Sequence, residues 1–307
     1  MPELIKFSYN SAQDGLGIAC LKTVPDNDVR GVLIFAHGMS EHKERYIPVM
    51  EYLSSHGYVC AINDHRGHGE SVKSDDDLGY FYDNGAVSVV EDTHQLMEIV
   101  RTNYPDTPVY LLGHSMGSLV VRTFTKKYDS NINGLIVSGS PSANSAAGVA
   151  KFMIRVSELF HGDKYRSNFL NTLVNGSFNK DYKDSGHEFA WLSRNIENVE
   201  KYEADKYCGF VFTNNGFYSL MNLMVSTYDR KGWAVNNPEL PIYFISGEED
   251  PCMVDKNKFD SAVEFMKSVG YKNVDSKLYE NMRHEIMNES GKEIVWDDIL
   301  EHMNSWN

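Results

Sequence analysis

The chain has 307 residues, 42% of them hydrophobic and 23% charged, which suits a globular core and excludes disordered, collagenous or fibrous classes. Acidic residues outnumber basic ones by 43 to 29, and no basic cluster offsets the formal net charge of −14. Nucleic-acid phosphates and anionic membranes are therefore repelled, whereas a neutral or zwitterionic small molecule is readily accommodated.

The opening, MPELIKFSYNSAQDG, holds acidic residues and no long apolar run, so no secretory signal is expected. From IKFSY to CLKTV the chain reads as two strands joined at Asp14-Gly15, an antiparallel hairpin. Short buried strands follow at GVLIFAH (31–37), YVCAIND (58–64), PVYLLGH (108–114), GLIVSGS (134–140) and PIYFISG (241–247). Helix-length segments lie around 45–56, 84–103 and 116–128. This alternation predicts an α/β fold whose parallel sheet is covered on both faces.

The rhythm breaks after Ser140. Residues 141–235 mix aromatic residues with Asn, Lys and Asp, and an insertion of that length is expected to form a mainly helical lid. The expected division is a core of 1–140 and 236–307 with a cap of 141–235. VDSKLY near the end reads as a further strand, before a last helix. No run approaches the roughly 18 apolar residues that span a bilayer. Cys20, Cys60, Cys208 and Cys252 are widely spaced with no CxxC pair, which predicts reduced, buried thiols of a cytoplasmic protein and no zinc site.

The stretch PVYLLGHSMGSLVVRTF sets Ser115 between Gly113 and Gly117, where a strand gives way to a helix. A G-x-S-x-G match alone is weak, but strand–turn–helix is the setting a nucleophilic serine needs. The glycines let neighbouring backbone approach, and the helix aims amide N–H groups at developing negative charge. A serine hydroxyl also needs a base and a group that orients that base. Past the strand at 241–247 stand four candidate acids, Glu248, Glu249, Asp250 and Asp255, and His284 lies in a loop after the next strand. Backbone N–H groups of Met116, after the serine, and of Met39, in the loop FAHGMSEH, are placed to hold an oxyanion. HEIMN at 284–288 lacks the second histidine of HExxH, and HRGH at 65–68 lacks a third ligand, so neither is read as a metal site.

Several of these segments coincide with one family. HGMSEHKERY (37–46), INDHRGHGES (62–71), GHSMGS (113–118), SGEEDPCMVD (246–255) and RHE (283–285) resemble the α/β-hydrolase superfamily, within it the monoacylglycerol lipase and lysophospholipase-like serine hydrolases. Residues 189–213 look like the cap of bacterial members. The resemblance implies an eight-stranded, mostly parallel sheet, Ser115 as nucleophile, His284 as base and Asp250 as its orienting acid. It also implies Met39 and Met116 as oxyanion donors and a small-molecule acyl ester as substrate, with no cofactor and no metal. In the cap, Phe152, Trp191, Phe210, Phe212 and Phe217 are candidates to line an acyl channel, with packing of the cap onto the core as the plainer reading. Peripheral lipid contact fits such a protein. Rival readings are an aminopeptidase or amidase, whose cap would use Glu188, Glu197, Glu200 or Glu203 for a substrate amine, an acyltransferase, and a non-catalytic ligand-binding protein.

Overall fold

The computed structural model describes residues 2–144 and 146–306. At the N-terminus β1 (Glu3–Asn10) and β2 (Gly17–Val24) pair antiparallel along their whole length. Gly15 in the connecting turn takes φ 75°, a conformation that glycine adopts without steric cost, and Asp14 Oδ1 accepts from Leu16 N–H at 3.2 Å. The expected hairpin is present.

Strands β3 (Gly31–Ala36), β4 (Tyr58–Asn63), β5 (Val109–His114), β6 (Gly134–Ser138) and β7 (Ile242–Gly247) are buried at every position. That is the signature of strands covered on both faces. With β8 (Val274–Tyr279) at one edge, the described residues form one eight-stranded sheet in the order β1-β2-β4-β3-β5-β6-β7-β8. The pairs β1/β2 and β2/β4 are antiparallel and the others parallel.

Helices α1 (Ile47–Ser55), α2 (Gly85–Arg101) and α3 (Met116–Tyr128) fall within a few residues of the expected segments. Successive strand residues point to opposite faces. Val32 and Ile34 therefore join α2 and α3 in one apolar cluster, while Leu33 and Phe35 join α1 in the other.

Between β6 and β7 the chain forms α4 (Ala147–His161), α5 (Asn168–Asn175), α6 (Ile196–Ala204) and α7 (Asn214–Tyr228). Thr213 caps α7 by accepting from Gly216 N–H, and Thr227 Oγ1 on its last turn donates to Leu119 O of α3 at 3.3 Å. So α7 packs on the core, whereas α4 leaves Phe152, Leu159 and Phe160 69%, 81% and 74% exposed. After β7 come α8 (Lys256–Val269) and α9 (Glu293–Ser305), the latter closing the face that holds α1. The strand order reverses direction at β3, which sends its neighbours to either side, and ligands of such sheets bind where carboxyl ends of strands diverge.

Candidate active site

The turn from β5 into α3 carries Ser115 at φ 53° and ψ −119°, a strained conformation for a residue with a Cβ. The flanking glycines explain how the turn is held. A Cβ on Gly113 would stand 2.3 Å from the Gly117 carbonyl oxygen, and one on Gly117 only 2.0 Å from that of Ala36. Helix α3 is thereby pressed against the end of β3, and Ser115 is left half-exposed among buried neighbours.

Asp250 follows β7 and is buried. Its Oδ2 accepts from Ser246 Oγ at 2.8 Å, and its Oδ1 accepts from Cys252 N–H at 2.8 Å and lies 2.9 Å from His284 Nδ1. The other three acids are engaged elsewhere or exposed. Glu249 pairs with Arg194 at 2.9 Å, Asp255 caps α8 by accepting from Lys258 N–H, and Glu248 faces solvent.

His284 sits in the loop after β8, buried, with its ring 4.6 Å from that of His114 and 5.0 Å from that of Trp191. Burial pulls the imidazolium down in pKa, but the Asp250 carboxylate and the Cys252 thiol outweigh it and hold His284 well above the usual histidine range. Correspondingly, burial raises Asp250 while His284 brings it below its ordinary value. Among the described residues no hydrogen bond joins Ser115 Oγ to His284 Nε2; such contacts are commonly long until substrate is bound.

Met39, half-exposed, follows β3, and Met116 opens α3. Among the described residues neither backbone N–H donates to another group, as an oxyanion donor requires. The loop bearing Met39 is held by groups that the residue types alone did not reveal. Glu41 Oε1 accepts from Gly38 N–H at 2.5 Å and from Tyr46 Oη at 2.9 Å. Arg45 Nη1 donates to Glu41 Oε2 at 2.7 Å, and both Arg45 terminal nitrogens donate to Glu285 at 2.6 Å. Asn198 of α6 donates to Glu285 as well, at 2.7 Å. One arginine thus ties the Met39 loop, the His284 loop and α6 together. Burial raises the Glu41 carboxyl despite Arg45, whereas for Glu285 Arg45 overcomes burial and holds the carboxyl at about 2. The only sequence signal was that Glu41 and Arg45 stand four apart in HGMSEHKERY and that Glu285 follows His284.

Glu41→Ala leaves Arg45 paired with Glu285 but strips the acceptor from the buried Gly38 N–H and Tyr46 hydroxyl. Each buried donor left without a partner costs about 1–3 kcal/mol, so a loss of about 2–4 kcal/mol is expected in denaturant unfolding, with Glu41→Gln milder because it keeps an acceptor for Gly38 N–H. An unchanged denaturation midpoint in Glu41→Ala would remove the clamp from this account.

The HRGH motif is structural. His65 N–H donates to His37 Nε2 at 2.9 Å, and burial pushes His65 down to about 4 and His68 to about 3, so both brace the end of β3 as neutral rings. The aromatic candidates separate. Trp191 lies against His284, and Phe210 is half-buried beside the Met39 loop, its carbonyl accepting from Ser40 Oγ at 2.7 Å. Phe212 and Phe217 are fully buried with Phe81, and Phe152 faces solvent. The four cysteines are unpaired and buried.

Residues 27–291 match the model of a family described as serine aminopeptidase, S33. The chain is 27% identical over 278 residues to a monoacylglycerol lipase of Mycolicibacterium smegmatis, covering 90% of this chain and 88% of that one. It is 24% identical to the monoglyceride lipase of Rattus norvegicus, covering 95% and 87%. Its fold matches that of a thermostable carboxyl esterase from Bacillus coagulans with a TM-score of 0.89 at 23% identity, over 98% of both chains.

Proposed function

The chain belongs to the family described as serine aminopeptidase, S33, on the α/β-hydrolase fold, and we propose that it cleaves carboxylic esters of acyl chains, monoacylglycerols or lysophospholipids, through an acyl-enzyme on Ser115. The observation that carries this reading is the buried Asp250–His284 pair at the ends of β7 and β8, beside a strained serine at the end of β5. His284 Nε2 takes the Ser115 proton as Oγ attacks the ester carbonyl, and the N–H groups of Met39 and Met116 hold the oxyanion. The imidazolium, stabilised by Asp250, then gives its proton to the leaving alcohol. Water attacks the acyl-enzyme by the same route and releases the fatty acid.

Two observations support an ester over a peptide. The relatives named as lipases span nearly the whole chain. Glu188, Glu197, Glu200 and Glu203, the residues available for a substrate α-amine, are all exposed, and Glu197 and Glu203 are already paired with Lys201 and His187. Residues 141–235 act as the cap, with Trp191 and Phe210 as the acyl contacts nearest the reaction centre. No helix among the described residues is long and apolar enough to cross a membrane. The exposed apolar side chains of α4 and α5, Leu159 and Leu173 among them, form the face that meets a lipid aggregate.

A hydrolysis panel of short- to long-chain p-nitrophenyl esters, monoacylglycerol, lysophosphatidylcholine and aminoacyl-p-nitroanilides tests the substrate. Ser115-dependent ester turnover with a chain-length optimum is expected; turnover confined to the anilides would overturn the ester reading. Leu159→Asp with Leu173→Asp should weaken sedimentation with zwitterionic vesicles and slow hydrolysis of emulsified monoacylglycerol, leaving a soluble short-chain ester cleaved as before. Equal vesicle binding by the variant would dismiss that face.

A further inference from the structure

Cys252 has no part in the mechanism above, yet its thiol is placed against the reactive nitrogen of the base. It lies in the short turn Pro251–Met253 that follows Asp250, and its Sγ is 3.8 Å from His284 Nε2. We propose that His284 Nε2 and Cys252 Sγ form an inhibitory binding site for a thiophilic divalent cation, with Zn²⁺ as the probe.

The separation of the two ligand atoms suits such an ion. Zinc binds thiolate sulfur at about 2.3 Å and imidazole nitrogen at about 2.0–2.1 Å, so two such bonds span 3.8 Å at an angle of about 120°, close to tetrahedral. The second ring nitrogen, Nδ1, lies 2.9 Å from Asp250 Oδ1. A carboxylate on the far nitrogen of a histidine fixes its tautomer and strengthens it as a zinc ligand. Ligand atoms of Asp250, Cys252 and His284 all lie within 4.8 Å of one another, and all three residues are buried. The remaining coordination positions fall to water.

Binding forms one Zn–S and one Zn–N bond, releases two waters from the ion and sends two protons to solvent, one from the Cys252 thiol and one from Nε2 of the His284 imidazolium, with no change of oxidation state. The occupied Nε2 lone pair can no longer take the Ser115 proton, so the ion stops turnover reversibly. A second group, His42, Asp205 and Cys208, is the competing candidate. Both ring nitrogens of His42 are already engaged, Nδ1 with Glu44 at 2.7 Å and Nε2 with Asp205 at 2.9 Å, so a cation there must first break an ion pair.

The inhibition readout rests on the hydrolase reading, so the first experiment avoids turnover. Co²⁺ is titrated into Ser115→Ala protein and the near-ultraviolet thiolate-to-cobalt charge-transfer band is followed. The band is expected in this protein, retained when Cys208→Ser is added, abolished by Cys252→Ser or Cys252→Ala, and displaced by Zn²⁺. A band that survives both Cys252 changes, or that disappears with Cys208→Ser, overturns the proposal, as does the lack of any band. In the active protein Zn²⁺ should inhibit ester turnover reversibly on addition of EDTA. Losing an outer partner of a zinc ligand costs about 10–100-fold in affinity. Losing the thiolate itself should raise the half-inhibitory Zn²⁺ concentration by about a hundredfold or more, each variant measured against its own metal-free rate. Equal sensitivity of Cys252→Ala and the parent would also overturn it.

Discussion

Ser115→Ala is expected to lower kcat by about 10⁶-fold and to abolish labelling by a fluorophosphonate probe, because the proposed covalent route runs entirely through the Ser115 hydroxyl. The residual rate, about 10³–10⁴ over water, is what the oxyanion donors and substrate binding supply by themselves. The fold should be undisturbed. Ser115 is half-exposed, and the turn that bears it is held by Gly113, Gly117 and the end of β3 rather than by the hydroxyl. A companion variant separates chemistry from backbone strain. Positive φ costs a residue with a Cβ about 1–3 kcal/mol, and Ser115 sits at φ 53°. Ser115→Gly should therefore be as inactive as the alanine variant but more stable, by about 1 kcal/mol in denaturant unfolding. Undiminished probe labelling of Ser115→Ala would remove the serine from its role.

Asp250→Asn is expected to cost about 10⁴-fold in kcat, since the amide presents the wrong partner to Nδ1 and the imidazole loses its productive tautomer. Its pH profile carries a sharper signature. As the proposed base His284 must be neutral to act, and the Asp250 charge raises its pKa. In the parent, kcat/KM therefore rises with pH as His284 deprotonates above the ordinary histidine range. In Asp250→Asn the raising charge is gone while burial still favours the neutral ring, so the same limb must move to lower pH. A limb that stays in place would mean that Asp250 does not set the His284 pKa. A comparable loss in Glu249→Gln, whose carboxylate faces Arg194, would transfer the role to that residue.

Features decided over a few residues are legible in the amino-acid sequence by itself. The all-apolar strands β3 to β7 and the glycines around Ser115 are of this kind, because strand periodicity and a tight turn depend on near neighbours along the chain. The choice among Glu248, Glu249, Asp250 and Asp255 is not local. These four share one short stretch and one chemistry; the family resemblance points to Asp250, and the contact itself is made with a loop 34 residues farther on.

The same holds more strongly for the Glu41–Arg45–Glu285 clamp, in which Arg45 and Glu285 are 240 residues apart, and for Cys252, which looks like any buried thiol until His284 folds over it. For the aromatic residues of the insertion, sequence identified them as candidates for apolar surroundings. It could not say that Trp191 would cover the histidine while Phe212 and Phe217 filled the core and Phe152 faced outward. Burial of an aromatic ring is driven by area removed from water, which is indifferent to the identity of the covering surface. The partner is decided by packing, hydrogen-bond geometry and charge between segments distant in sequence, and those are fixed only when the whole chain has closed on itself.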